Sequence, residues 1–347
     1  VRAALFETFR QPLAVTQVPD PACPPDGAVI RVMACGVCRS DHHAWAGVDP
    51  DVVVPHVPGH EFAGVIAETG PRCTRWRSGE RVTAPFILAC GDCPDCLGGD
   101  PTVCNHQHVA GFSSWGAFAE LIAVPHADFN LVRIPEALDF TETAGMGCRV
   151  TTSFRALVDR ARLQPGEWLA VHGCGGVGLS AVMIGRAMGA RVVAVDVNDA
   201  PLAMAKTLGA AATLNVTGIS DVGGALHDLM DGGAHVSLDA LGVTATFHNS
   251  IRSLRKLGRH VQIGMPVGKH AEPAIPLLEM VYSRQISIMG TRGIAASRFP
   301  ALLAMVDAGL IDPASLITKR ISLDEAGDAI AVMDGYTGVG ITVIDRF

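Results

Sequence analysis

Short apolar stretches, repeatedly broken by glycine and proline, fill the first 148 positions. Residues 29–34 alternate in part, and 62–68 and 118–124 are brief apolar runs beside glycines. Such interruptions deny any helical period and predict an irregular, β-rich domain over residues 1–148. Residues 142–157 then carry a helical pattern despite their glycines. From Trp168 the rhythm changes. Residues 168–172, 191–196, 234–238, 260–263 and 286–289 read as strands, with helices over 179–188, 201–208 and 245–257. That alternation is the mark of a parallel sheet covered on both faces, placed here over residues 149–290. In the tail, 291–347, helices are expected at 298–305 and 323–333 and a last strand at 341–344. The chain therefore reads as α/β.

Length and charge narrow the setting. With 347 residues and 49% hydrophobic content, two buried cores are expected. The apolar surplus also suits subunit contacts, and a homotetramer is expected, with a homodimer as the alternative. A formal charge of −7 without a clustered basic tract argues against nucleic acid or acidic lipid as partner. No uninterrupted apolar run is long enough to span a bilayer. The opening residues 1–7 show no apolar signal core, so the cytoplasm is the expected location. In that reducing setting, ten cysteines point to metal binding more than to disulfides.

Two groups of residues carry chemistry. Gly173-Cys174-Gly175-Gly176-Val177-Gly178 follows a predicted strand and opens a predicted helix. It fits a dinucleotide turn: one glycine for the bend, one for close approach to a pyrophosphate, one for helix–strand packing. Asp196 ends the next strand, where its carboxylate would accept from ribose hydroxyls and disfavour the extra phosphate of NADP. NAD is thus the expected cofactor. Asp196 also reads as a helix cap, and Arg191 lies at the wrong end of its strand to bind that phosphate.

The other group is rich in cysteine. Cys90, Cys93 and Cys96, followed by Cys104, supply four thiolates from one loop, enough to close a tetrahedral structural zinc site. An iron–sulfur cluster or buried free thiols are the alternatives. Cys38, His60 and Cys148 lie far apart along the chain. Two thiolates and an imidazole would leave one tetrahedral position open, but spacing alone does not bring them together.

At these motifs the chain resembles the zinc-containing alcohol dehydrogenases of the medium-chain dehydrogenase/reductase family. The similarity extends over essentially the whole sequence and rests on four segments in family order. They are Cys38-Arg39-Ser40-Asp41-His42-His43, Gly59-His60-Glu61, the four-cysteine loop and the glycine-rich turn. The resemblance implies a GroES-like catalytic domain, completed by the tail, and a Rossmann nucleotide-binding domain. It implies catalytic zinc on Cys38, His60 and Cys148 and structural zinc on the four-cysteine loop, two zinc ions per subunit. Asp41 would accept a hydrogen bond from the His60 ring, and Glu61 matches an acidic neighbour that ligates zinc transiently. Ser40 matches the hydroxyl that takes the alcohol proton, His43 the relay to solvent, Arg39 a phosphate contact and Thr152 a contact near the nicotinamide. Ile341 stands where many members carry arginine, so one customary phosphate contact is missing.

The implied reaction is reversible hydride transfer between a primary or simple secondary alcohol and NAD. Trp45, Phe86 and Trp115 are the candidates for substrate packing, aromatic walls that suit an alkyl or aryl alcohol. A polyol-specific enzyme of the same fold and a non-catalytic nucleotide-sensing protein are the competing readings. The open metal position and proton relay weigh against the second.

Overall fold

The structure is a computed structural model that describes residues 1–335 and 338–347. Contacts divide the chain into two units. One holds Val1–Thr151, Gly293–Ala304 and Pro313–Phe347; the other holds Thr152–Arg292 and Met305–Asp312.

The first unit is built on a mostly antiparallel seven-stranded sheet. Its central path runs Ile317–Ser322, Ile341–Arg346, Ala28–Val37, Glu61–Thr69, Arg81–Thr83 and Val132–Arg133, with Leu121–Val124 also pairing to Ala28–Val37. The tail strand returns to pair antiparallel with the segment leading to Cys38, placing Thr342 opposite Val37. Alternation gives the sheet its buried face: Ile30, Val32, Phe62 and Ile66 pack with Phe118 and Ile122. Helices in this unit are short. Arg39–Trp45 has seven residues. The helical pattern at 142–157 becomes a segment with two π turns, Met146–Val150 in this unit and Ala156–Arg160 in the second.

Six parallel strands form the sheet of the second unit. Their order is Ala212–Asn215, Arg191–Asp196, Trp168–His172, Ala234–Asp239, Leu254–Gln262 and Ser287–Gly290. The chain starts in the middle, builds outward one way and then returns to build the other. That reversal leaves a crevice at the carboxyl ends of the first and fourth strands, the usual place for a dinucleotide. Trp168–His172 is buried along its whole length, as a central strand covered on both faces must be. One boundary differs from the sequence pattern. The helix expected over 245–257 ends at Arg252, and Leu254–Gln262 is one long strand with an irregular register near its start. Pairing with Ala234–Asp239 on one side and Ser287–Gly290 on the other outweighs the local helical period. Among the described residues, no helix is long and apolar enough to cross a membrane.

Candidate active site

Three separate backbone segments deliver the metal-type donors of the first unit. Cys38 follows the Ala28–Val37 strand and caps the Arg39–Trp45 helix, His60 immediately precedes the Glu61–Thr69 strand that Glu61 opens, and Cys148 sits within the π turn. Donor atoms from Cys38, His60, Glu61 and Cys148 all lie within 4.8 Å of one another. Single-turn π segments often mark functional positions, because the extra residue re-aims a side chain. Here the turn is secured by Thr151, whose hydroxyl donates to the carbonyls of Gly147 and Cys148 at 3.0 and 2.9 Å.

Asp41 binds the Cys38 and His60 segments to one another. It is fully buried. Its Oδ2 accepts from the Cys38 N–H at 2.8 Å, while Oδ1 accepts from the Gly59 N–H at 3.0 Å and lies 2.8 Å from His60 Nδ1. A carboxylate at Nδ1 fixes the tautomer with Nδ1 protonated, leaving the Nε2 lone pair free. Nε2 is buried and has no hydrogen-bond partner among the described residues. Burial would depress the His60 pKa, but Asp41 and Cys38 outweigh it and hold it well above its usual value. Contact with Cys148 draws the Cys38 thiol well below the ordinary range against the effect of burial, while Cys148 itself is pushed well up. The donors therefore suit a zinc ion: one thiol already inclined to ionise, a second in contact with it, and an imidazole nitrogen otherwise left orphaned.

Glu61 is turned towards Arg149. Nε of Arg149 donates to Oε1 at 3.0 Å and Nη2 donates to Oε2, and both residues are buried. Burial pushes the Glu61 carboxyl up to about 7, although Arg149 pulls the other way.

Around this cluster, Ser40 Oγ lies 3.7 Å from Cys38 Sγ. His43 Nδ1 is buried without a partner among the described residues. Burial, reinforced by Arg39, lowers the His43 pKa and keeps the ring neutral near pH 7. The adjacent His42 faces elsewhere: its Nε2 lies 2.8 Å from Asp334 Oδ1, and its ring packs on Trp45. Arg39 Nη1 donates to the Met333 carbonyl at 2.5 Å.

The three aromatic candidates separate. Phe86 packs its ring 5.7 Å from that of His60. Trp45 belongs to the core and donates from Nε1 to the Gln11 carbonyl. Trp115 is 42% exposed and donates to the Pro55 carbonyl. Phe112, which no local pattern singled out, lies 5.2 Å from the His60 ring. It follows the four-cysteine loop, and nothing in its neighbours signals a return to His60.

The four-cysteine loop is compact. Sulfur separations are 3.4 Å for Cys90–Cys104, 3.5 Å for Cys93–Cys96, 3.7 Å for Cys93–Cys104 and 3.9 Å for Cys90–Cys96. A tetrahedral zinc with Zn–S of about 2.3 Å requires sulfur edges of about 3.8 Å. These edges fit one ion, whereas a multi-iron cluster needs wider spacing. The backbone N–H groups of Cys90 and His106 approach Cys104 Sγ at 3.5 and 3.3 Å.

In the second unit the glycine turn joins the Trp168–His172 strand to the Gly176–Ala187 helix. A Cβ on Gly178 would fall 1.8 Å from the Gly173 carbonyl oxygen, so helix and turn can approach only with glycine there. Beside Gly175 the space is open, which leaves room for a ligand over the backbone. Val177 lies in the first turn of that helix, and its carbonyl accepts from Ser153 Oγ at 2.9 Å. Asp196 receives the N–H groups of Cys174 at 2.7 Å, Val197 at 2.8 Å and Asn198 at 2.9 Å. The carboxylate thus braces the glycine turn itself. Arg191 stacks on Trp168, 3.7 Å from the ring centroid, at the other end of the strand. Thr152 is buried and its hydroxyl has no partner among the described residues; it is Thr151 that bonds back to the helix.

Both parts of the chain have counterparts among known proteins. Residues 24–136 match the alcohol dehydrogenase GroES-like domain, and residues 176–308 match the zinc-binding dehydrogenase model. An alcohol dehydrogenase of Geobacillus stearothermophilus is 39% identical, covering 84% of this chain and 86% of its own. A solved NAD-dependent alcohol dehydrogenase superposes with a TM-score of 0.90 at 28% identity, covering all of both chains. A zinc-binding dehydrogenase of Sinorhizobium meliloti 1021 bound to NADP gives 0.87 at 26%, covering 99% of each. The chain belongs to the zinc-containing alcohol dehydrogenases of the medium-chain dehydrogenase/reductase family, with the GroES-like and nucleotide-binding domains that define it.

Proposed function

We propose that the protein is an NAD-linked alcohol dehydrogenase that interconverts a primary or simple secondary alcohol with its aldehyde or ketone. The observation that carries this reading is the meeting of Cys38, His60 and Cys148 donors, with His60 Nε2 buried and otherwise unpartnered. These three residues would hold a catalytic zinc, and Cys90, Cys93, Cys96 and Cys104 a structural one. When bound, zinc polarises the alcohol oxygen and lowers its pKa, and NAD accepts the hydride.

The chain's own groups do the rest. Asp41 orients the His60 ring and strengthens it as a donor. Ser40 Oγ takes the alcohol proton and His43, kept neutral by burial, passes it outward. Phe86 and Phe112 pack apolar rings against His60, which favours an alcohol with an apolar carbon chain over a polyol. Trp45 and Trp115 are the further positions to test for substrate packing. The glycines at 173, 175, 176 and 178, with Val177, form the pyrophosphate turn, and Arg39 and Thr152 are assigned to the dinucleotide. Asp196 selects NAD, since its fixed negative charge would repel a ribose phosphate. A cytoplasmic homotetramer, or else a homodimer, completes the reading. Support for association is the apolar surface at Leu277, Leu278 and Tyr282, which are 62%, 75% and 77% exposed.

The test is a panel of simple and hydroxylated alcohols with NAD and NADP, using metal-loaded wild type and Cys38→Ser. NAD-linked turnover of simple alcohols that collapses in the variant is expected. Turnover retained by Cys38→Ser would remove that residue from the chemistry.

A further inference from the structure

The donor cluster contains one ligand too many for an open site. Glu61 brings a carboxylate oxygen within 4.8 Å of the Cys38, His60 and Cys148 donors, and carboxylates bind zinc well. Four protein ligands would fill a tetrahedron and leave no place for an alcohol. Arg149 decides which arrangement holds. Its guanidinium engages both Glu61 oxygens at once, Nε to Oε1 at 3.0 Å and Nη2 to Oε2. A planar fork on a carboxylate occupies one lone pair on each oxygen and fixes the direction in which the carboxylate points.

The pair sits in a place shaped for it. Glu61 lies opposite Gly36 in the strand register. A Cβ on Gly36 would come 2.0 Å from Glu61 Oε2 and 3.0 Å from Arg149 Nη2. A Cβ on Gly147 would meet Glu61 Cα at 2.8 Å. Any side chain at Gly36 would evict the ion pair, and one at Gly147 would push Glu61 off its strand position. Charge points the same way. Two thiolates balance a dication, so a buried Glu61 carboxylate needs a further positive charge, and Arg149 provides it. Because Arg149 follows Cys148 directly in the π turn, the segment that supplies a metal ligand also restrains its competitor.

We infer that Arg149 is a positioning residue that holds the Glu61 carboxylate off the metal and so keeps the fourth ligand place free for substrate. The inference rests on the assignment of Cys38, His60 and Cys148 as a metal centre. The experiment loads that centre with cobalt(II) in the full-length protein and titrates imidazole as an external donor, read by the visible d–d bands. In wild type, imidazole shifts the bands. In Arg149→Met the bands already resemble those of four protein ligands. If the freed carboxylate fills the place nine-tenths of the time, imidazole affinity falls about tenfold. Adding Glu61→Gln to Arg149→Met removes the competitor and returns imidazole affinity to the wild-type value. A purely structural ion pair would leave the double variant as impaired as the single one, which overturns the inference. Should Arg149→Met fail to fold, Arg149→Lys carries the test: it keeps the charge but loses the fork, and intermediate weakening is expected. Imidazole binding by Arg149→Lys equal to wild type would then refute the clamp. Thiolate-to-cobalt charge-transfer bands in wild type, lost in Cys38→Ser, separate the two levels. Their absence sinks the metal centre itself, whereas their presence with imidazole binding indifferent to residue 149 sinks only the clamp.

Discussion

Replacing Asp41 by asparagine removes one charge and almost no volume, so its effect isolates what the carboxylate does. Three donors converge on it: the Cys38 N–H on Oδ2, and the Gly59 N–H and His60 Nδ1 on Oδ1. An amide has only one accepting oxygen. However it is turned, its NH2 faces at least one buried N–H, which costs about 1–3 kcal/mol for the group left unsatisfied. The cheapest orientation sacrifices the Cys38 N–H and keeps the His60 bond, now to a neutral oxygen. Loss of an outer carboxylate on a ligating histidine typically lowers metal affinity about 10–100-fold, or about 1.4–2.8 kcal/mol. The assay is zinc competition against a chromophoric chelator, followed by metal analysis of the recovered protein. The four-cysteine loop lies outside the Asp41 network and acts as an internal control. Asp41→Asn should release one zinc per chain at chelator concentrations that leave wild type fully loaded, and the second zinc should stay. A titration curve superimposable on wild type would refute the argument that this carboxylate orients and strengthens His60.

Four further outcomes are expected. Cys104→Ser should lose one zinc and melt at lower temperature, because Cys104 is fully buried and its sulfur serves two others and two backbone N–H groups; an unchanged melting curve would argue against a structural ion. Gly178→Ala should cost at least about 1–3 kcal/mol through overpacking, since its Cβ would meet the Gly173 oxygen at 1.8 Å; calorimetric NAD titration should show weakened binding. Asp196→Ala should raise the NADP-to-NAD ratio of kcat/KM about tenfold or more, and an unaltered ratio would release Asp196 from cofactor choice. Finally, burial holds His172 down at about 3 and His260 at about 4. The unfolded chain takes up these protons near pH 6.5, so stability is full above that pH. It falls as pH drops from about 6.5 towards 4, by up to about 1.4 kcal/mol per pH unit for each ring. Melting at pH 7 and pH 5 should show a smaller difference in His172→Asn than in wild type.

Much of the nucleotide unit is legible in sequence because its signals are local. A buried parallel strand, a glycine bend and a helix follow one another within about twenty residues, the span over which that fingerprint extends. Steric demand at Gly178 is written in the same few positions. The long strand Leu254–Gln262 was less legible, since the pairing on its two sides lies in distant parts of the chain. The four-cysteine loop likewise announces itself by spacing.

The remaining chemistry depends on closure over long distances. Cys38, His60 and Cys148 have types that suit zinc, but only the Ala28–Val37 and Glu61–Thr69 strands and the π turn bring their donors within reach of one ion. Phe112 reaches His60, and Arg149 reaches Glu61 across 88 positions, through contacts that no spacing encodes. Residue identity determined which metals and cofactors this protein is able to bind, because ligand softness and glycine's missing Cβ are properties of single residues. Which carboxylate faces a ring and which faces a guanidinium were decided by tertiary packing, since each depends on the direction of a side chain inside a core built from the whole chain.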